Sequence, residues 1–118
     1  MLSILIPTYN YDIQTLVYKV HAQLVDCKMK FEILCYDDCS TKTEITTANK
    51  SIAALKNTQY KILDSNIGRS AIRNLLAKDA RFDLLLFLDA DVIPVKKDFI
   101  STYLKAISKE KKIVYGGI

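Results

Sequence analysis

The chain has 118 residues, half of them hydrophobic and a quarter charged. That is enough for one domain with a buried core, spanning residues 1–118, and it excludes an intrinsically disordered polymer. The formal net charge of +4 is mildly basic, suiting a phosphate-bearing ligand or an anionic surface and specifying neither.

Strand-like and helix-like segments alternate from the start. LSILI is a short apolar run closed by Pro7, the pattern of a buried strand. It is too short for a secretion signal and lacks a basic flank. Ile13, Leu16, Val17, Val20 and Leu24 then recur at helical spacing through to about Cys27. FEILCY is a second strand, halted at Asp37 and Asp38. Ile45, Ala48, Ile52 and Leu55 mark a second helix, with Ser40 or Thr41 expected to cap its start. YKIL is a third strand, and Ile72, Leu75 and Leu76 lie on a third helix that begins near Gly68. DLLLFL is a fourth strand. Phe99, Ile100, Tyr103, Leu104 and Ile107 form a fourth helix, and KIVYG a fifth strand. The KEKK tract at residues 109–112 solvates a helix end, with docking to an anionic membrane as the alternative. No apolar run reaches spanning length, so the chain itself is expected to be soluble.

Strand–helix alternation repeated four times calls for an α/β fold, a mostly parallel, doubly wound, Rossmann-like sheet with helices on both faces. Cys27, Cys35 and Cys39 are odd in number and contain no C-x2-C pair. They read as reduced thiols of a reducing compartment, and His21 as a partly buried helix residue rather than a zinc ligand.

Ligands of such sheets bind outside the carboxyl ends of the strands, where the strand order reverses. The distinctive residues fall at those ends: PTYN after the first strand, DDCS after the second, NIGRSAIRN after the third and DAD after the fourth. If the chain stays extended past Leu88, Asp89 and Asp91 point to the same side, their alpha carbons about 6.5 Å apart. Two carboxylates so placed repel unless a cation lies between them. Magnesium or manganese takes one or two carboxylates together with substrate phosphates. The plainer reading is a helix cap or a solvated pair. A carboxylate of DDCS can accept a hydrogen bond from a ligand N–H such as a nucleobase imide, or simply close an Asx turn. Gly68 opens a helix whose free N–H groups suit an anion, and Arg69 and Arg73, one turn apart, can flank a diphosphate. Alternatively the arginines belong to a surface helix and pair with Asp79 or solvent.

Together these segments resemble the amino-terminal half of a family 2 glycosyltransferase of the GT-A fold. SILIPTYN is similar to that family's strand into P-x-Y-N, EILCYDDCST to its strand into D-D-x-S, NIGRSAIRN to its N-x-G-x-[SA]-x-x-R-N segment, and LLLFLDADVIP to its strand ending D-x-D. The resemblance covers nearly the whole chain, in order. It implies transfer of a sugar, with inversion, from a nucleoside-diphosphate donor, a UDP-sugar being favoured, to a carbohydrate or lipid-linked acceptor hydroxyl in polysaccharide or glycoconjugate synthesis. By the same resemblance Pro7, Thr8, Tyr9 and Asp38 line the base and ribose pocket with Asn66 beside it. Arg73 faces the donor end of the cleft, with Arg69 as a helper. Asp89 touches the ribose or the metal, and Asp91 binds the Mn or Mg ion that bridges the diphosphate. Cys39 stands where the family usually has glycine. The family's catalytic base is expected beyond residue 118, so no catalytic residue is assigned, and this chain alone is expected to bind donor without efficient transfer. The resemblance further implies a cytoplasmic protein able to work at the inner membrane face, with no nucleic-acid partner. Apolar residues 115–118 are expected to favour self-association.

Two other classes compete. A non-catalytic nucleotide-binding module shares every donor feature. A haloacid-dehalogenase-like phosphatase also ends a strand in D-x-D, its first acid a nucleophile, but there the motif closes the first core strand. A receiver domain wants its acids after strand one, where this chain has PTYN.

Overall fold

The computed structural model describes residues 1–92, 98–107 and 114–116, and side chains among residues 1–92 and 98–105. The elements run β1 (Leu2–Thr8), α1 (Gln14–Asp26), β2 (Phe31–Asp37), α2 (Thr43–Asn49) with a 3-10 turn after it (Lys50–Ala54), β3 (Thr58–Ile62), α3 (Arg69–Asp79), β4 (Leu84–Leu88), α4 (Phe99–Ile107) and β5 (Val114–Gly116). The sheet order is β3-β2-β1-β4-β5, and all four strand pairings are parallel. This is the doubly wound α/β architecture that the alternation predicts. The tracts at 109–112 and 117–118, and the segment 93–97 after DAD, lie outside the described residues.

Period-two alternation divides each central strand between two cores. Leu2, Ile4 and Ile6 of β1, Phe31, Ile33 and Cys35 of β2, and Leu86 and Leu88 of β4 point to one face. There they meet Leu16, Val17, Val20 and Leu24 of α1, Ile52 of the 3-10 turn and Ile100 of α4. The intervening Leu5, Leu34, Tyr36, Leu85 and Phe87 point to the other face, against Ile72 and Leu76 of α3. Near-continuous apolar strands thus follow from burial on both faces. The helices need apolar residues on one side only.

The polar exceptions on the α3 face are satisfied. Ser3 donates from Oγ to the Glu32 carboxylate at 2.6 Å, and the Arg81 N–H donates to the same oxygen at 2.6 Å. This buried network ties β1, β2 and the start of β4 at the end of the sheet away from the motifs.

Three local expectations are corrected. β1 does not stop at Pro7 but runs to Thr8, pairing with β2 as far as Thr8↔Asp37. Its pairing with β4 ends earlier, at Leu5↔Phe87. The Thr8 carbonyl accepts from Asp38 N–H on the β2 side, so by alternation Pro7 turns its donorless nitrogen toward the β4 side. No ladder bond is needed there. The second helix is shorter than its apolar spacing suggests. It tightens at Asn49 into the 3-10 turn that carries Ile52. It also starts at Thr43, after Ser40 and Thr41, with no side-chain cap from its own flank. The residues leading into it are held from elsewhere, as described below. Among the described residues no helix is long and apolar enough to cross a membrane.

Candidate functional site

Strands β1 to β3 are laid down in one direction, and β4 returns to the other side of β1. The reversal therefore falls between β1 and β4, which part beyond Leu5 and Phe87. A cleft of about 610 Å³ opens there, lined by residues of all four motif segments: Pro7, Thr8 and Tyr9, Asp38, Asn66 with Arg69 and Arg73, and Asp89 with Asp91. Every candidate site residue read from the sequence lines this cleft. Tyr11, Gly68, Ile72 and Ala90 line it too. Of these, the sequence places Gly68 at the anion-suited start of the third helix, Ile72 on the apolar side of that helix and Ala90 between the acids of DAD, while Tyr11 belongs to no motif. For Tyr11 the one available signal was an aromatic residue in an otherwise polar loop.

The loops are fixed to one another by hydrogen bonds that cross the site. Asn10, at φ 52°, accepts on its side-chain oxygen from the Thr41 N–H at 2.9 Å and the Lys42 N–H at 3.0 Å. Asparagine tolerates that left-handed backbone better than most residues. Its carbonyl oxygen thus holds the N–H groups of the two residues that lead into α2. The Asn10 N–H donates to Ser40 Oγ at 2.7 Å, and Ser40 Oγ donates in turn to Asp37 at 2.8 Å. Asp37, wholly buried, also accepts from Ser40 N–H at 2.7 Å and Tyr60 Oη at 2.7 Å. Burial first, and then the hydrogen bond to Asp37, holds the Tyr60 hydroxyl well above the usual tyrosine range. The first acid of DDCS is therefore a framework group.

The second acid is placed differently. Asp38 lines the cleft, yet its two carboxylate oxygens accept from Ile67 N–H at 2.7 Å and Gly68 N–H at 3.0 Å. Asn66 Nδ2 donates back to the Asp38 carbonyl at 3.0 Å. The loop after β2 thereby clasps the turn into α3. Gly68, at φ 91°, has a conformation that a side chain would strain. No side chain caps α3, so its first-turn N–H groups, beside Arg69, present the positive end of a helix to the cleft.

At the far wall the extended chain expected past Leu88 is not found. The Val92 N–H donates to the Asp89 carbonyl at 3.0 Å, closing a turn at once, so Asp89 and Asp91 share the cleft through the turn and not through strand alternation. Arg73 donates from Nη2 to Asp89 Oδ1 at 3.0 Å, and the Asp89 side chain remains 57 % exposed. The alternative in which the α3 arginines pair with Asp79 is not what Arg73 does: Asp79 accepts from the Tyr36 hydroxyl, on the opposite face of the sheet from α1. Burial and that bond raise the Tyr36 pKa above its ordinary value.

Arg69, Arg73 and the start of α3 share the lining with Asp38, Asp89 and Asp91, so its charged side chains sum to a slight negative excess. Among the described residues no group of three or more His, Cys, Asp or Glu gathers that could hold a metal by itself. Two exposed carboxylates are what a Mg-type ion uses when phosphates and water complete its shell. The donor set fits an ion that arrives with its anion.

A parallel sheet whose switch-point crevice collects loops, a helix N-terminus and paired acids is the architecture of a nucleotide-binding α/β domain. The chain belongs to glycosyl transferase family 2, whose sequence model matches residues 3–118. It is 26 % identical over 116 residues to a protein of Bacillus subtilis (strain 168) named as the uncharacterized glycosyltransferase YfnE, covering 98 % of this chain and 29 % of that protein. It is 30 % identical over 95 residues to an uncharacterized glycosyltransferase of Haemophilus influenzae, covering 77 % and 29 %. Among solved structures, S. aureus TarS in complex with UDP superposes with a TM-score of 0.68 at 28 % identity, over 92 % of this chain and 32 % of that one. The chain thus spans less than a third of the length of these relatives. The family displaces the phosphatase and receiver readings.

Proposed function

We propose that this chain carries the donor site of an inverting sugar transferase that draws on a nucleoside-diphosphate sugar, UDP-linked by preference. The observation that carries the proposal is the convergence of four strand-end loops on one switch-point cleft, which brings Arg69 and Arg73 together with Asp38, Asp89 and Asp91. The neighbour TarS was crystallised with UDP, which supports the same donor class here.

In this reading Pro7, Thr8 and Tyr9 border the nucleoside, with Asn66 and Asp38 beside it. The α3 N-terminus with Arg69 and Arg73 takes the diphosphate. Asp91, with Asp89, holds Mn or Mg, which when bound offsets charge on the departing diphosphate. Arg73 leaves or shares Asp89 as phosphate arrives. Asp38 keeps the 66–68 turn, and hence Arg69, in place. No residue of the cleft is assigned as the base that takes the acceptor's proton. The acceptor is a carbohydrate or lipid-linked hydroxyl, and the work is done on the cytoplasmic side of a membrane.

The test is a melt of the full chain with UDP, with Mn, and with both. Ligand at one hundred times its Kd stabilises by about 2.7 kcal/mol, so the pair together raises Tm by roughly 10 °C and either alone by far less. Asp91→Ala removes the metal-dependent part. A melt indifferent to every nucleoside diphosphate refutes the donor site, and equal shifts with and without metal refute the ion.

A further inference from the structure

Among the described residues Tyr11 is the one lining the cleft whose side chain has no task in the framework and none in the proposed contacts above. Its neighbours are anchored in detail. The Tyr11 carbonyl accepts from Asn49 Nδ2 at 2.9 Å and from Thr8 Oγ1 at 3.5 Å. Asn49 is wholly buried, and its side-chain oxygen accepts from the Ile13 N–H at 3.0 Å. One buried amide therefore braces the chain on both sides of Asp12. Asp12 itself turns back to accept from the Gln14 N–H at 2.9 Å. Ile13, the next anchor, is 0 % exposed.

On that fixed backbone the Tyr11 ring stands 45 % exposed at the rim of the cleft, near the 49 % exposed Tyr9. Among the described residues neither ring stacks on another aromatic, the ring pair of the fold being His21 with Phe31. A large ring on a braced loop loses only two side-chain torsions on binding, so it gives contact area at low entropic cost. The charged groups that suit phosphate, Arg69, Arg73 and the α3 N-terminus, belong to other segments of the lining. What the tyrosine segment offers is a π-face beside backbone polar groups, the chemistry that takes a planar heteroaromatic ring.

We infer that Tyr11 is a base-stacking, affinity-setting residue of the donor site, supplying a second aromatic surface beside Tyr9 for the nucleobase. The inference rests on the donor-site reading above and adds a residue to it.

The experiment is calorimetric titration of the full chain, wild type and the variants Tyr11→Phe and Tyr11→Ala, with UDP plus Mn and separately with inorganic pyrophosphate plus Mn. Circular dichroism melts verify that each variant folds. Tyr11→Ala weakens UDP binding about tenfold and leaves pyrophosphate binding within about twofold, while Tyr11→Phe keeps wild-type affinity for both. Unchanged UDP affinity in Tyr11→Ala overturns the assignment. So does an equal loss for pyrophosphate, which would mean that the cleft as a whole is disturbed. If wild type binds pyrophosphate with Mn and no nucleoside diphosphate, base recognition fails and Tyr11 with it. If it binds neither, the donor-site reading itself has failed.

Discussion

Replacing Asp38 by asparagine separates its part in the fold from any part in ligand binding. Asp38 is 7 % exposed, and its carboxylate holds two backbone N–H groups, of Ile67 at 2.7 Å and Gly68 at 3.0 Å. A hydrogen bond to a charged partner contributes about 1.5–3 kcal/mol, a neutral one about 0.5–1.5. The substituted amide would keep one oxygen and turn an NH2 toward the second donor. One bond then drops from charged to neutral, and the other is lost with its N–H stranded. The sum is a loss of roughly 2–4 kcal/mol. Unfolding entropy near 2.1 cal/mol/K per residue gives roughly 0.25 kcal/mol/K for a chain this long, so Tm falls by about 8–16 °C. Thermal and urea melts at pH 7 measure the loss, and hydrogen exchange of the Ile67 and Gly68 amides locates it. Without ligand, a Tm within about 2 °C of wild type and unchanged protection at both amides would refute the clasp, leaving Asp38 a group that serves the ligand alone.

Two further outcomes follow from the backbone and from burial. Cys39 sits at φ 64°, a left-handed conformation that costs a residue with a side chain about 1 kcal/mol. Its sulfur makes one weak contact, 3.7 Å to the Asp64 carbonyl. Cys39→Gly should therefore stabilise by about 0.5 kcal/mol after glycine's own entropic cost, read from urea midpoints at constant m-value; a loss above about 1 kcal/mol contradicts the strain argument. The raised pKa values of Tyr36 and Tyr60 make stability pH-dependent in a definite direction. Their folded values lie above the unfolded value near 10, so the folded chain binds the proton more tightly. That stabilisation is complete below about pH 10 and is lost as pH rises beyond it. Burial of the Cys35 thiol acts the same way. Urea melts between pH 8 and 11 should show a decline that Tyr36→Phe and Tyr60→Phe reduce, and an unchanged slope in both variants contradicts it.

Much of the fold is written locally. In β1, Leu2, Ile4 and Ile6 feed one core and Leu5 the other, so an unbroken apolar run signals burial on both faces before any partner is known. The α3 start was legible because Gly68 alone supplies its backbone turn. The cleft residues were legible because motif and strand end coincide. What could not be read is tertiary. Asn10 holds the amides that lead into a helix more than thirty residues downstream, and Asp38 reaches twenty-nine residues on to Ile67. Arg73 pairs with Asp89 across the cleft, while Asp79, six residues along the same helix, accepts from Tyr36. Spacing along the chain says nothing of such choices, since each depends on which loops the sheet order sets side by side. The turn at Asp89 escapes the sequence for a related reason: β4 parts from β1 after Phe87 and last pairs with β5 at Leu88, and the chain turns directly beyond.

The bond from Asn10 to the amides of Thr41 and Lys42 has a practical corollary for anyone re-engineering this scaffold. Because the segment after the first strand fixes the approach to the helix after the second, the two are not exchangeable modules. A graft that imports a foreign PTYN stretch without its matching DDCST stretch leaves the lead into α2 without its anchor, and retargeting the cleft therefore demands that both be transplanted as a single cassette.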